Sequence, residues 1–139
     1  DLHLSIRRQR QMCIRDSNNV TRTGDDLIRA LRETDHPYFT HILDTGQYAG
    51  SPGASGHRGT SHPNYDCYDS ITKTAPYAVY IRAKFYQIDS GVEEWLDYPR
   101  ILDILRAQNY NGCISIVYEG ESDPIESMQK AASYLRSIL

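Results

Sequence analysis

Four side chains stand where apolar, β-rich runs of the chain give out: Asp44, Arg82, Lys84 and Glu119. The first run, His41-Ile42-Leu43-Asp44-Thr45-Gly46, ends on a carboxylate and breaks at glycine. It reads as a buried strand delivering Asp44 to an active-site face. Residues 77–84 and 113–120 repeat the design, each closing on ionisable groups. Carboxylates in such places can move protons or hold a cation, and lysine or arginine beside them can hold oxygen-rich or anionic ligands. Tyr80, Arg82 and Lys84 alternate with Val79, Ile81 and Ala83, so the two cations project to one side of their strand. Two readings of that pair stay open: cations at the mouth of a barrel paired with carboxylates, or groups that hold a ligand.

The elements needed to carry these groups follow from periodicity. Each run is succeeded by a loop and a helical pattern, and strand, polar end, loop and helix three times over predicts parallel βα units. Thr23 caps a helix over residues 24–33, with Asp25 and Asp26 in the first turn and Leu27, Ile28 and Leu31 along one face. Asn64 is expected to cap a short helix whose Tyr65, Tyr68 and Ile71 share a face and which Pro76 ends. Asp97 caps the next, with Pro99 in its first turn and Tyr98, Ile101, Leu102 and Leu105 as its apolar stripe. Trp95 is expected to pack down the preceding loop. Asp123-Pro124-Ile125-Glu126 opens a last helix as a capping box, with Ile125, Met128, Ala132, Leu135 and Leu139 on its inner face and Met128 in the core.

Composition narrows the partners. A chain of 139 residues, 40% hydrophobic and 24% charged, can bury one modest core. Its net charge of −3 offers no footprint for a phosphate backbone, so no nucleic acid is expected, and no apolar run approaches the roughly 18 residues of a membrane span. Three cysteines without regular spacing make no disulfide framework, which points to a reducing, cytoplasmic setting. The Gly/Ser/Pro-rich stretch over residues 47–63 is too long for an ordinary connection and reads as a lid or a disordered loop. His57 and His62 within it are read as surface residues rather than metal ligands, and His36 and His41 as turn or rim residues.

Residues 1–17 differ from the rest. They are basic enough to suggest a nucleic-acid arm or a targeting peptide, but Met12-Cys13-Ile14-Arg15-Asp16-Ser17 is what the codons ATG TGT ATA AGA GAC AG(C/T) give, a string that resembles a transposon adapter used in sequencing libraries. The expectation is a non-native segment at 1–17, a domain portion at 18–139, and a natural protein that continues upstream.

Leu43-Asp44-Thr45-Gly46, Thr74-Ala75-Pro76-Tyr77-Ala78-Val79, Ala83-Lys84-Phe85-Tyr86, Asp97-Tyr98-Pro99-Arg100-Ile101 and Tyr118-Glu119-Gly120-Glu121-Ser122-Asp123-Pro124 together resemble the last part of xylose isomerase-like TIM barrels, the sugar phosphate isomerases and epimerases. The resemblance implies an α/β fold in which the three strands are the sixth, seventh and eighth of a (β/α)8 barrel, with function at their C-terminal ends. It implies a small-molecule sugar or polyol as partner, leaves a homo-oligomer open, and implies a divalent manganese, magnesium or cobalt ion that stabilises an enediolate while two glutamates move the proton. Asp44 matches the family's ligand aspartate. The first ligand glutamate would precede Asn18. The ligand histidine falls on Arg82, whose guanidinium has no free acceptor, and the last ligand glutamate falls on Val117, leaving Glu119, two residues on and on the same face, as the carboxylate that could serve instead.

The catalytic set is therefore Asp44, Glu119 and Lys84, with Gln47, Arg82 and Lys84 on the substrate and Asp44 and Glu119 as metal ligands. A barrel that has lost its metal and still binds or isomerises ligands is the alternative. An endonuclease for abasic DNA shares the fold, but it needs several zinc-binding histidines and a DNA-facing surface, neither of which this acidic chain offers.

Overall fold

A computed structural model describes residues 21–53 and 64–139. Residues 1–17, His57 and His62 lie outside the described residues.

Helix α1 (Gly24–Thr34) starts where Thr23 and Asp26 satisfy each other's backbone: the Asp26 N–H donates to the Thr23 hydroxyl and the Thr23 N–H to the Asp26 carboxylate. It ends at Asp35, which takes the left-handed conformation at φ 38°. Strand β1 (His41–Asp44) leads through the long loop to α2 (Cys67–Thr74), and a 3-10 turn over Ala75–Tyr77 delivers the chain into β2 (Ala78–Phe85). Helix α3 (Tyr98–Ala107), strand β3 (Ile114–Tyr118) and helix α4 (Pro124–Ile138) complete the order.

The three strands form one parallel sheet in the order β1-β2-β3. Asp44 lies opposite Arg82, and Lys84 opposite Val117. Because side chains alternate across a strand, this register puts Asp44, Arg82, Lys84, Ser115 and Val117 on one face. Leu43, Ile81, Ala83 and Phe85 take the other and are fully buried in a core with Ile71, Ile101, Leu102, Leu105, Ala131 and Leu135 of the helices. Phe85 and Tyr98 stack at 4.6 Å between centroids. The result is the arrangement expected of part of a (β/α)8 barrel: parallel strands, helices against one face, and strand ends with polar groups at the other.

The structure departs from the sequence reading at several points. The side chain of Asp66, not Asn64, caps α2 by accepting from the Tyr68 N–H at 2.8 Å, which leaves Tyr65 outside the helix and exposed. Its buried face is Cys67, Ser70, Ile71 and Thr74. In α4, Asp123 caps the N–H groups of Ile125 and Glu126, but Glu126 turns to Lys130 at 2.8 Å, so only half of the capping box is made. The buried stripe of α4 is Ser127, Ala131 and Leu135; Ile125, Met128 and Leu139 are exposed, and Met128 is not core. The helix is rotated because small residues at 127 and 131 let it approach the sheet closely, a preference that hydrophobicity alone does not reveal. His41 is buried rather than at a rim, its Nε2 3.0 Å from the Tyr48 hydroxyl, which lies 2.7 Å from Thr74 Oγ1. Trp95 does pack down its loop, stacked on Tyr86 at 5.4 Å.

Candidate active site at the strand ends

Asp44, Arg82, Lys84 and Glu119 meet at the C-terminal ends of the strands. Lys84 is 1% exposed, and its ammonium is hydrogen-bonded to Glu119 Oε1 and 3.8 Å from Asp44 Oδ2. Arg82 Nη1 lies 3.6 Å from the same Asp44 oxygen. One lysine therefore bridges a carboxylate at the end of β1 and one just past β3, and one carboxylate is faced by two cations.

The groups are held from behind. Thr45 follows Asp44 and so points to the helix side, where its hydroxyl accepts the Lys84 N–H at 2.9 Å and lies 3.3 Å from the Tyr98 hydroxyl. Tyr98 in turn donates to the Lys84 carbonyl, so α3 and β1 together fix the backbone that carries the lysine. Gly46 makes room: a β-carbon there would lie 2.1 Å from the Tyr86 hydroxyl and 2.8 Å from Lys84 Cγ, displacing the stem of the lysine.

The two oxygens of Asp44 differ. Oδ1 accepts the Gly46 N–H at 3.1 Å, whereas Oδ2 is buried and has no hydrogen bond among the described residues. Burial raises the pKa of Asp44 above the ordinary carboxylate value; Lys84, the Gly46 N–H and Arg82 pull the other way without overcoming it. An oxygen with no donor, in a site of two cations, is available to take a proton from a bound molecule. Glu93 is also buried and raised by desolvation, but its carboxylate accepts the N–H groups of Tyr86 and Trp95 at 2.8 and 3.1 Å and organises the loop after β2 instead.

Every site residue read from the sequence lies at this end of the sheet. Gln47 is half-buried one turn past β1 with its N–H directed to the Asp44 carbonyl at 3.5 Å, outside the ion-paired cluster. Thr45 and Tyr98 carry no signal in the sequence as site supports; Tyr98 reads as an apolar stripe residue, and nothing in its spacing shows where its hydroxyl ends. Glu93 carries no sequence signal at all.

These residues do not by themselves make a divalent-metal donor set. Among the described residues no three histidine, cysteine, aspartate or glutamate side chains converge on one point. Asp44 and Glu119 are each already matched by a cation, and Val117, on the same face as both, has no donor atom.

No protein-family model matches the chain. A 69-residue stretch is 38% identical to the C-glycoside deglycosidase alpha subunit of Arthrobacter globiformis, covering 44% of this chain and 20% of that protein. The match thus spans a fifth of the relative's length. Among the described residues no helix is long and apolar enough to cross a membrane.

Proposed function

We propose that the strand-end cluster acts on a sugar or polyol by moving a proton between neighbouring carbons, as an isomerase or epimerase does. The observation that carries this reading is Asp44 Oδ2, buried, without a hydrogen-bond donor among the described residues and flanked by Arg82 and Lys84. Asp44 takes the proton from the carbon next to a carbonyl. The negative charge that develops on the carbonyl oxygen falls beside the two cations, and fixed charges aimed at developing charge are the strongest single source of rate enhancement. Glu119, hydrogen-bonded to Lys84, exchanges protons with the substrate hydroxyl, and Gln47 contacts a further hydroxyl. The partial identity with a protein named for a C-glycoside supports a carbohydrate as substrate.

Incubating the intact protein with a panel of aldoses, ketoses and polyol-derived ketones in deuterium oxide, followed by NMR, tests the proposal. Deuterium should enter a carbon-bound position next to the carbonyl, and Asp44→Asn should reduce that exchange by at least a thousandfold. Absence of exchange across the panel, or exchange unchanged in Asp44→Asn, overturns it.

A further inference from the structure

The cluster contains as many cations as carboxylates, and their placement is uneven. Lys84 is shared between Glu119 and Asp44, so Arg82 is the second counter-charge of Asp44 and has no other partner among the described residues. Its side chain is 20% exposed. A guanidinium presents five N–H groups in a planar fork and never loses its charge at physiological pH. A single contact at 3.6 Å leaves most of that fork unused.

We infer that Arg82, with Lys84, supplies the positive charge that a divalent ion would otherwise bring to this barrel mouth, so that the site takes the oxygens of its ligand directly on the guanidinium fork and works without a metal. Three observations converge. The position that resembles a ligand histidine holds Arg82 itself. Val117, at the ligand glutamate's position, packs half-buried opposite Lys84 and can donate nothing. Asp44, the matching carboxylate, has its buried Oδ2 within 4 Å of two cations, the Arg82 guanidinium and the Lys84 ammonium. A divalent ion on that oxygen would stand close to both. Each pair of unit charges about 4 Å apart weakens binding roughly a thousandfold in a surface-like dielectric, and a divalent ion doubles the exponent. The fork instead matches two oxygens of a ligand, such as a carboxylate or a carbonyl with its adjacent hydroxyl.

The inference deepens the proposed function but is tested apart from it, since manganese binding is read without any substrate. Calorimetric titration of the intact, chelator-washed protein with manganese(II) should give no saturable heat up to millimolar metal, and elemental analysis of the protein as purified should find far less than one ion per chain. The double variant Arg82→His/Val117→Glu, checked for native circular dichroism, should bind manganese at least a hundredfold more tightly than the unmodified protein. A stoichiometric, tightly held ion in the unmodified protein overturns the inference. So does a folded double variant that gains no affinity, because the arginine charge would then not be what excludes the ion. The unmodified protein's titration decides the matter alone if the double variant does not fold. Failure of the deuterium exchange with metal binding absent would remove the proton-transfer reading and leave this one standing.

Discussion

At the scale of single residues, the two buried ionisable groups of β1 push stability in opposite directions with pH. His41 is pulled from its ordinary value down to about 4 by burial, so its neutral form belongs to the folded state. The neutral imidazole has a consistent place: Thr74 Oγ1 donates to the Ser70 carbonyl at 2.8 Å, the Tyr48 hydroxyl can donate to Thr74, and a protonated Nε2 can then donate to Tyr48. A group whose folded value is lowered in this way contributes stability that is complete above its unfolded value near 6.5 and is lost as pH falls toward 4. The loss is on the order of 3 kcal/mol. Urea unfolding at pH 7 and pH 4 should show the unmodified protein losing about that much more than His41→Gln. Asp44 runs the other way. Its raised value means that the proton binds more tightly in the folded state, so its contribution is largest below the unfolded carboxylate value and is lost as pH rises through the raised folded one. Ionising Asp44 in this buried place is a cost that the site tolerates for chemistry. Asp44→Asn should therefore abolish turnover with no fall in the urea midpoint at pH 7, and the acid limb of the pH profile for kcat/KM should lie above the ordinary carboxylate range. A midpoint that drops sharply in Asp44→Asn would make the carboxylate a structural counter-ion first.

At the scale of elements, caps decide where helices begin, and they differ in how much they carry. Asp123 Oδ1 accepts the N–H groups of both Ile125 and Glu126, at 3.0 and 2.9 Å, while Pro124 removes a third orphan donor from the first turn. Asp123→Ala should cost about 1 kcal/mol in unfolding free energy, and Asp123→Asn or Asp123→Ser much less, as read by thermal melts of the three variants. These elements were legible because their signals are local. Thr23 with Asp26, Asp97 with Pro99, and Asp123 with Pro124 each mark a helix start within a few residues, and the strand ends that carry Asp44, Lys84 and Glu119 are marked by apolar runs that stop. What could not be read depended on distance. The orientation of α4 is set by the small Ser127 and Ala131 lying against the sheet, which displaces Ile125 and Met128 outward although they are the more hydrophobic. The burial of His41 depends on Tyr48 and Thr74, from the loop after β1 and from α2. The tie from Tyr98 to the Lys84 carbonyl spans an entire loop between strand and helix.

At the scale of the whole molecule, the sheet raises a question that its own residues do not answer. Parallel strands are ordinarily covered on both faces and paired on both sides, because a parallel ladder with an open edge presents unmatched N–H and C=O groups. Here β2 is paired on both sides, while β1 and β3 are each paired on one side only within the described residues. The residues of β3 are all half-buried, including Ile114, Ile116 and Val117, whereas the middle of β2 is closed to solvent at Ile81, Ala83, Lys84 and Phe85. Ile125 and Met128 of α4 are further exposed apolar side chains, at 71% and 39% exposure. Exposed apolar groups and open strand edges both favour association, since burying apolar surface against any partner gains roughly 25 cal/mol for each Å² removed from water. A polypeptide of residues 18–139 alone should accordingly self-associate, with a sedimentation profile that shifts with concentration and a broad thermal transition. Supplying a covering partner should sharpen that transition, and so should the pair Ile125→Lys and Met128→Glu, which removes apolar surface from α4 without touching Ser127, Ala131 or Leu135. A monodisperse, monomeric sample of residues 18–139 with a steep cooperative melt would show instead that the helices on one face and the ion-paired cluster on the other are enough to close this sheet.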